Sequence, residues 1–477
     1  MDIVVGRVVR ISKRFLEKEG IDVAAVRAEL TIKGTKASDF GSRDPLVTFE
    51  ERRDFIYVPK VYGITLAKAS GFPFSRVDHP GETIAVTFSG QLRQSQVQAV
   101  EDTIRTLREK EGAVMNMYCG FGKTTCCNFV TCRLGLKTLI LVHSSSLVQQ
   151  WKERIEQFVR GAKVGLIRQK TFDVQGNTHV IGLMQSICKR DYGKDAFRSF
   201  GLTVIDECHH VCAENLSRCL RKAGSRYRLG LSATPFRKDG FTPFLFQAVG
   251  EIACTVQRDE STQDMDVHAV QLETGPEQVH YVHRAGKKSI NIARMITDIC
   301  EHAARNAVVV RAVHTHALAG RQVMVLSDRR AHLNGLHASV TAVANASYTT
   351  SFMVGGIDAD AMRLAEGAAV IFATYAYASE GVDVPSLDTV VFATPRVDIV
   401  QTTGRILRKH DKKQKPLVID FVDKFSLFKN QFSKRRRYYK KLGADVTNMD
   451  QQLRANADSK DLQPPPKKPK FAFVIAH

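Results

Sequence analysis

From residue 112 onward, short apolar segments rich in valine, isoleucine and leucine alternate with longer amphipathic segments. The apolar segments are continuous, a pattern typical of strands that are buried on both faces of a parallel sheet. A first series lies at residues 112–118, 137–143, 178–183, 202–207 and 227–233. A second series follows a less regular zone around residues 255–315 and lies at residues 321–327, 368–374, 389–395 and 415–421. The sequence therefore predicts an α/β protein with two successive parallel sheets.

The domain organisation follows from where apolar and amphipathic segments alternate in this way and where they do not. We expect a small N-terminal module at residues 1–90, a first parallel-sheet lobe at 91–255, a second lobe at 256–430 and a basic, flexible tail at 431–477. The N-terminal part mixes basic and aromatic residues with glycine and proline breaks. The tail combines the basic run SKRRRYYKK with a proline-rich end, a composition that argues against compact structure.

Charge and cysteine usage narrow the class of protein. The formal net charge of +20 makes nucleic acid the leading partner, because a polyanion offsets the self-repulsion of such a chain. Ten cysteines are scattered without a CxxC pair, which favours a reducing compartment. The chain has neither a signal-peptide pattern nor an apolar run of about 18 residues, so we expect an intracellular protein without a membrane span.

A phosphate-binding loop is predicted between the first strand and the helix that follows it. Gly120 and Gly122 allow a tight turn that points backbone amides at phosphate oxygens. Lys123 would reach the β- and γ-phosphates, and Thr124 would offer its hydroxyl to Mg²⁺. The chain has Met117 where a strict P-loop has its first glycine, a departure common in helicase-type ATPases. The predicted ATP-binding residues of the loop are Gly120, Phe121, Gly122, Lys123, Thr124 and Thr125.

The segment DECHHVC, which follows the fourth predicted strand, allows two interpretations. In the first, Asp206 holds the Mg²⁺ of ATP and Glu207 orients the attacking water, while His209 relays to the neighbouring motif. In the second, Cys208 and Cys212 bind zinc, but no second ligand pair lies at zinc-finger spacing. The position after a buried strand and downstream of a phosphate loop favours the first interpretation.

With these motifs in place, the chain resembles a superfamily 2 helicase of the DExH type over residues 90–425. The segment RKDG at residues 237–240 resembles a narrower group that includes XPB, the phage helicase UvsW and helicases of large DNA viruses, with the poxvirus transcript-release helicase closest in character. The segments in family order are LRQSQVQAV (92–100), LVHSSSLVQQW (141–151), GLMQSI (182–187), YRLGLSATPFRKDG (227–240), VMVLSDRRAHLNGL (323–336), ATYAYASEGVDVPSLDTVVFATP (373–395) and QTTGRILR (401–408).

The resemblance implies two RecA-like lobes that close around ATP and Mg²⁺. Arginines of the second lobe would supply the positive charge that stabilises the departing phosphoryl group. The further ATP-site residues that the resemblance implies are Arg93, Gln96, Gly381, Asp383, Gln401, Arg405 and Arg408. Coupling between the ATP site and nucleic acid is assigned to His209, Ser232, Ala233 and Thr234. The implied contacts to the nucleic-acid backbone are Ser144, Ser145, Gln185, Ser186 and Thr374.

These features predict an ATP-dependent DNA helicase or translocase, with 3′-to-5′ polarity implied by the resemblance. An RNA helicase is the first alternative, and an ATPase that releases transcripts or displaces proteins without processive unwinding is the second. A scaffold with an inactive ATPase and the motor subunit of a restriction complex are less favoured. DNA is the expected partner, with RNA and the transcription machinery as further partners, in a host nucleus, a cytoplasmic viral factory or a virion.

Overall fold

The computed structural model divides into two compact units, residues 1–258 and 259–477. It describes residues 2–34, 44–193, 195–209, 213–237, 239–257, 265–273, 278–284, 287–355, 357, 359–380, 384–407 and 413–449. No helix among these residues has the length and apolarity that a membrane crossing needs. The cysteines of the described ranges carry free thiols.

The first unit begins with a small sheet of its own, in the strand order β5-β6-β2-β1-β7. Its strands are antiparallel except for β1 and β7. Alternating residues of β1, β2 and β6 pack with helix α3 into a separate core that includes Val5, Val9, Ile56 and Ile64. The elements of this part are β1 (Ile3–Val5), β2 (Val9–Ser12), α1 (Lys13–Lys18), α2 (Val23–Glu29), β3 (Thr31–Ile32), β4 (Leu46–Val47), β5 (Glu50–Arg52), β6 (Phe55–Val58), α3 (Lys60–Ala69), β7 (Ser75–Arg76) and β8 (Thr87–Phe88).

Two buried cations attach this small sheet to the rest of the unit. Lys60 donates to a carboxylate oxygen of Asp78 at 2.7 Å and to the carbonyl of Ser225 at 2.8 Å. Arg228 donates to the carbonyls of Ala248 at 2.7 Å and of Arg7 at 3.1 Å. Burial lowers the pKa of Arg228 to about 10. The carbonyl acceptors compensate part of the cost of burying this charge.

The larger part of the first unit is an eight-stranded sheet in the order β13-β12-β14-β10-β15-β16-β9-β17. All neighbouring pairs are parallel except β12 and β13. The five strands predicted from continuous apolar segments are present as β9, β10, β14, β15 and β16. The elements are α4 (Gln94–Lys110), β9 (Gly112–Met117), α5 (Lys123–Leu134), β10 (Thr138–Val142), α6 (Ser145–Phe158), β11 (Val159–Arg160), β12 (Val164–Arg168), β13 (Thr171–Phe172), β14 (His179–Leu183), α7 (Met184–Lys189), β15 (Leu202–Ile205), α8 (Ala213–Lys222), β16 (Tyr227–Ser232), α9 (Thr242–Ala248) and β17 (Ile252–Val256).

The second unit contains a seven-stranded sheet in the order β22-β23-β21-β24-β25-β18-β26, in which every neighbouring pair is parallel. The four strands predicted here are present as β21, β23, β24 and β25, so the prediction of two parallel α/β lobes is confirmed. The elements are β18 (Asp266–Leu272), β19 (Tyr281–Arg284), β20 (Lys287–Ile290), α10 (Ile292–Glu301), α11 (Ala303–Leu318), β21 (Val323–Ser327), α12 (Arg330–Ala344), β22 (Thr350–Met353), α13 (Ala359–Glu366), β23 (Val370–Thr374), α14 (Tyr375–Glu380), β24 (Thr389–Phe392), α15 (Val400–Ile406), β25 (Leu417–Asp423), α16 (Ser426–Lys441) and β26 (Asp445–Asn448).

The expectation of a flexible tail from residue 431 onward is wrong for residues 431–449. Helix α16 contains the basic run, and strand β26 extends the sheet by pairing with β18. Arg435 is buried and donates two hydrogen bonds of 2.7 Å to the carboxylate of Asp420, and the hydroxyl of Tyr439 donates to the same carboxylate at 2.8 Å. A buried acid therefore holds one face of the basic helix, which composition alone does not reveal. Residues 450–477 lie outside the described residues.

Candidate functional site

The predicted ATP-binding motifs meet at one edge of the larger sheet of the first unit. Strands β15, β16 and β9 are direct neighbours and parallel. Their carboxyl ends therefore bring together the loop after β9, Asp206 and Glu207 after β15, and Ser232 at the end of β16. This edge is where open parallel sheets bind ligands.

The loop between β9 and α5 has the backbone that a phosphate cradle requires. Gly120 has φ 88° and Gly122 has φ 102°, values in the left-handed region that favours glycine. A Cβ atom on Gly122 would lie 2.6 Å from Nε2 of Gln96, so a larger residue here would displace the Gln96 side chain. Lys123 begins helix α5, and Thr124 and Thr125 follow in its first turn. The amides of the turn thus lie at the positive end of a helix.

The side chains of Arg93 and Gln96 hold the loop between β9 and α5 in place. Both side chains donate to the carbonyl of Phe121, Gln96 at 2.8 Å, and Oε1 of Gln96 accepts a hydrogen bond of 2.9 Å from the amide of Arg93. The Arg93 guanidinium also lies 5.4 Å from the centre of the Phe121 ring. Gln96 is only 3% exposed. The two residues therefore position the loop backbone, and the contact with ATP that the resemblance implies for them stays a prediction.

Three charged residues lie close together beside the loop. Nζ of Lys123 lies 3.4 Å from Oε1 of Glu207, and Asp206 is 8% exposed. Burial, followed by repulsion from Glu207, raises the pKa of Asp206 to about 6. Burial alone would lower the pKa of Lys123, but the charges of Glu207 and Asp206 outweigh it and raise that pKa. Two adjacent carboxylates at a buried strand end fit a site for a cation and for a phosphate chain bound with it.

Trp151 is a site residue that sequence reasoning missed. It lies in helix α6, and its indole Nε1 donates to Oδ2 of Asp206 at 2.7 Å. The backbone amide of Glu207 donates to Oδ1 of the same carboxylate at 3.0 Å. Glu207 itself has φ 43°, a strained value for a residue with a long side chain. Trp151 is the single tryptophan of the chain, and nothing in the sequence signalled this contact.

A chain of contacts leads from the carboxylates to the end of β16. Nδ1 of His209 lies 3.5 Å from Oε2 of Glu207 and 2.7 Å from the hydroxyl of Ser232. Nε2 of His209 lies 3.2 Å from the hydroxyl of Thr234, whose amide donates to Ser232 at 2.9 Å. Arg237 donates to the carbonyl of His209 at 2.6 Å. Ala233 lies between the two hydroxyl residues and supplies only backbone. His209 thus bridges Glu207 and the segment 232–234.

The zinc alternative finds little support at Cys208. This side chain is buried and belongs to an apolar core cluster of the first unit. Among the described residues, no three His, Cys, Asp or Glu side chains are grouped so that they could hold a metal ion. His210 and Cys212 lie outside the described residues.

The predicted nucleic-acid contacts of the first unit differ in their exposure. Ser145 and Gln185 are exposed at the first turns of α6 and α7. Ser144 precedes α6, and its hydroxyl lies 3.0 Å from the hydroxyl of Ser146. Ser186 is 9% exposed and accepts a hydrogen bond of 2.9 Å from the amide of Gln169. Ser145 and Gln185 are therefore the better placed to contact a ligand.

In the second unit, Thr374 ends strand β23 and accepts a hydrogen bond of 3.4 Å from the amide of Tyr377. Arg405 lies in α15 and is 9% exposed. Gln401 lies in the same helix. Gly381, Asp383 and Arg408 lie outside the described residues. The roles assigned to these residues toward ATP and nucleic acid stay predictions.

Comparison with known proteins adds to this geometry. The sequence model of the type III restriction enzyme res subunit family matches residues 89–237. A protein of Acanthamoeba polyphaga mimivirus, provisionally named an ATP-dependent RNA helicase, is 28% identical over 440 residues, which are 90% of this chain and 83% of that protein. A protein of Invertebrate iridescent virus 6, provisionally named a helicase, is 25% identical over 438 residues, which are 87% of this chain and 94% of that protein. These similarities, together with the motifs at the sheet edge, support a superfamily 2 helicase of the type found in large DNA viruses. As such a helicase, it is an enzyme that uses ATP.

The fold of this helicase agrees with solved structures. A fragment assigned as the HsdR subunit of a type I restriction enzyme from Vibrio vulnificus matches with a TM-score of 0.53 and 17% identity, over 76% of this chain and 70% of that chain. At this identity the likeness concerns the fold alone.

Proposed function

We propose that this helicase uses ATP hydrolysis to move on DNA, as a DNA helicase or translocase. The observation that carries the proposal is the unbroken series of contacts from Lys123 through Glu207 and His209 to Ser232 and Thr234. A change of charge at Glu207 alters the partner of His209, and His209 in turn holds the end of β16. The state of the nucleotide can thereby reach a segment that is separate from the phosphate loop.

Each charged group has a defined task in this proposal. The loop amides and Lys123 bind the phosphates, and Thr124 and Asp206 hold Mg²⁺. Bound Mg²⁺ neutralises part of the charge on the phosphate oxygens. Glu207 orients the attacking water and accepts its proton, as a general base. Trp151 fixes the Asp206 carboxylate so that it does not turn toward Glu207.

The nucleic-acid partner is proposed to be held through its backbone. The net charge of +20 favours a polyanion, and the exposed side chains of Ser145 and Gln185 are hydrogen-bonding groups that carry no base preference. We therefore expect binding that tolerates any sequence and weakens as salt rises. A link to the transcription machinery and a nuclear or viral-factory location stay predictions.

The choice of DNA rests on the RKDG segment, which the chain shares with the XPB-like group. Arg237 of this segment forms a two-bond ion pair with Asp239 at 3.0 and 2.6 Å and also holds the carbonyl of His209. The segment is thus joined to the coupling residue, and Lys238 lies outside the described residues. RNA is the second candidate, because the mimivirus relative carries the name of an RNA helicase. ATPase assays with single-stranded DNA, duplex DNA and RNA in parallel separate the two, since the true partner should stimulate turnover most.

The ATP site is tested with Lys123→Ala. We expect hydrolysis to be abolished while strand binding persists, because the loop loses its phosphate-binding charge and the strand contacts are unchanged. Lys152→Ala, which removes an exposed lysine of α6, is the matched control and should hydrolyse ATP normally. Normal stimulated hydrolysis by the Lys123 variant would show that the site has been assigned wrongly.

A further inference from the structure

Two thiols outside the proposed ATP site lie in direct contact. Sγ of Cys188 in helix α7 lies 3.3 Å from Sγ of Cys219 in helix α8. Cys188 is partly exposed, whereas Cys219 is fully buried. The Cys188 thiol also lies 3.2 Å from the carbonyl of Asn215, and the Cys219 thiol lies 3.6 Å from the carbonyl of Met184. Each thiol is thus directed at the other helix.

The surroundings make the two thiols chemically unequal. The hydrogen bond from Cys219, helped by the nearby charges of Lys222 and Arg218, lowers the pKa of Cys188 to about 7. The same contact, together with burial, raises the pKa of Cys219. The ammonium group of Lys222 is held beside Cys188 by the carbonyls of Ile187 at 2.7 Å and of Cys188 at 3.2 Å. An accessible thiolate with a protonated thiol in contact is the arrangement of redox-sensitive cysteine pairs.

We propose that Cys188 and Cys219 form an oxidation site at which hydrogen peroxide produces a disulfide between α7 and α8. The Cys188 thiolate attacks one peroxide oxygen, the O–O bond breaks, and water and a Cys188 sulfenic acid are formed after uptake of one proton. The Cys219 sulfur then displaces the sulfenic hydroxyl, which leaves as a second water with the thiol proton. The two sulfurs lose two electrons in total and the peroxide gains them.

The contact geometry requires little rearrangement for this step. A disulfide has an S–S length of about 2.05 Å, so the sulfurs must approach by roughly 1.3 Å from their separation of 3.3 Å. Cys188 is partly exposed and lies in the last turn of the short helix α7. In a reducing compartment the pair stays as two thiols, and a peroxide challenge converts it.

The disulfide also affects the proposed strand contacts, an extension that rests on the proposed function. Gln185 lies three residues before Cys188 in α7, and α8 begins shortly after the Asp206–Glu207 pair. A covalent link fixes α7 against α8 and prevents any adjustment of Gln185 that depends on their relative movement. We expect oxidation to reduce strand-stimulated ATPase activity several-fold and dithiothreitol to restore it.

The test uses the full chain treated with hydrogen peroxide near neutral pH, blocked with N-ethylmaleimide and digested without reductant. We expect a cross-linked peptide joining Cys188 and Cys219, lighter by two hydrogens than the sum of its parts. With Cys219→Ser, or with Cys219→Ala should serine destabilise the core, the reagent dimedone should trap Cys188 as a sulfenic acid. With Cys188→Ser, Cys219 should stay reduced. Cys300→Ser is the matched control, because Cys300 is also partly exposed but burial raises its pKa to about 11.

Two results would overturn parts of this inference separately. If Cys188 remained open to alkylation after peroxide, or reacted no faster than Cys300, no oxidation site would exist. If the disulfide formed and stimulated ATPase activity did not change, the regulatory extension would be lost while the site remained. Absence of ATPase activity in the reduced protein would instead contradict the proposed function. The peptide analysis does not depend on ATPase activity.

Discussion

Arg435 and Arg436 are neighbours in one basic run, yet the structure assigns them opposite energetic roles. The Arg435 side chain is 1% exposed and pairs with the fully buried Asp420, whereas Arg436 is exposed. We predict that Arg435→Ala destabilises the second unit by about 3–5 kcal/mol, the range for breaking a buried ion pair from one side. Arg436→Ala should change stability by less than about 0.5 kcal/mol, as surface substitutions usually do.

The magnitude can be worked from the contacts. Arg435→Ala removes two hydrogen bonds of 2.7 Å to the carboxylate and one of 2.7 Å to the carbonyl of Arg396, and leaves Asp420 with the Tyr439 hydroxyl. Three bonds involving a charged group, at roughly 1.5–3 kcal/mol each, would sum to more than the predicted loss. Protonation of the orphaned acid limits the damage. Protonating an ordinary aspartate at pH 7 costs about 4 kcal/mol, since each pH unit is worth about 1.4 kcal/mol.

The assay is urea unfolding followed by circular dichroism and by tryptophan fluorescence. The chain has one tryptophan, Trp151 in the first unit, so its fluorescence reports that unit while circular dichroism reports both. We expect Arg435→Ala to shift the circular dichroism transition and to speed hydrogen exchange in strand β25. A combined Arg435→Ala and Asp420→Ala variant should lose less than the sum of the two single losses, because the second change removes the orphaned charge. Equal stability of the Arg435 and Arg436 variants, within about 0.5 kcal/mol, would refute the reasoning.

Three further predictions concern the first unit. Gly122→Ala should weaken ATP binding roughly tenfold, because a left-handed backbone at φ 102° costs about 1–2 kcal/mol for alanine and the added Cβ contacts Gln96. Nucleotide titration measures the affinity, and an unchanged affinity would contradict the prediction. His209→Ala should abolish stimulation of the ATPase by nucleic acid while leaving ATP binding, because the link to residues 232–234 is lost; full stimulation would show that the link is not used. Burial lowers the pKa of His179 to about 4, so the unfolded state takes up the proton first, and the free energy of unfolding should fall by up to about 3 kcal/mol as pH drops from about 6.5 to 4. His179→Gln should flatten this part of the profile of urea stability against pH. A variant profile with the same slope would exclude His179 as the origin of the pH dependence.

The strands that were predicted and those that were missed differ in how completely they are buried. The predicted strands lie in the interior of the two large sheets, where both faces are covered and every residue is buried, as in β10 and β21. The missed strands include β17, β22 and β26, which lie at sheet edges and have partly exposed, mixed sequences. They also include β12 and β18, which lie between two neighbouring strands but are partly exposed along their length. An edge strand needs no continuous apolar segment, because one side of it is open. Its pairing depends on a partner distant in the chain, which local pattern does not contain.

Local motifs also predicted the order of the site residues better than their contacts. The positions of Lys123, Asp206 and Glu207 at strand ends follow from the sequence pattern and parallel topology. The bond from Trp151 to Asp206 and the bond from Gln96 to Phe121 do not, because each joins segments 25 or more residues apart. Spacing within a helix shows which face is apolar, and it does not show which polar atom that face meets.

The sequence by itself determined the two α/β lobes, the place of the predicted phosphate loop and the resemblance to superfamily 2 helicases, because continuous apolar strands and short motifs act within a few residues of themselves. Only the tertiary structure decided which basic residues are solvated and which are buried, and which thiols lie in contact. Arg435 and Arg436 read alike in the sequence, and Cys188 and Cys300 do as well. They separate because a buried carboxylate or a second sulfur approaches one member of each pair from a distant segment, and such an approach is fixed by packing of the whole lobe.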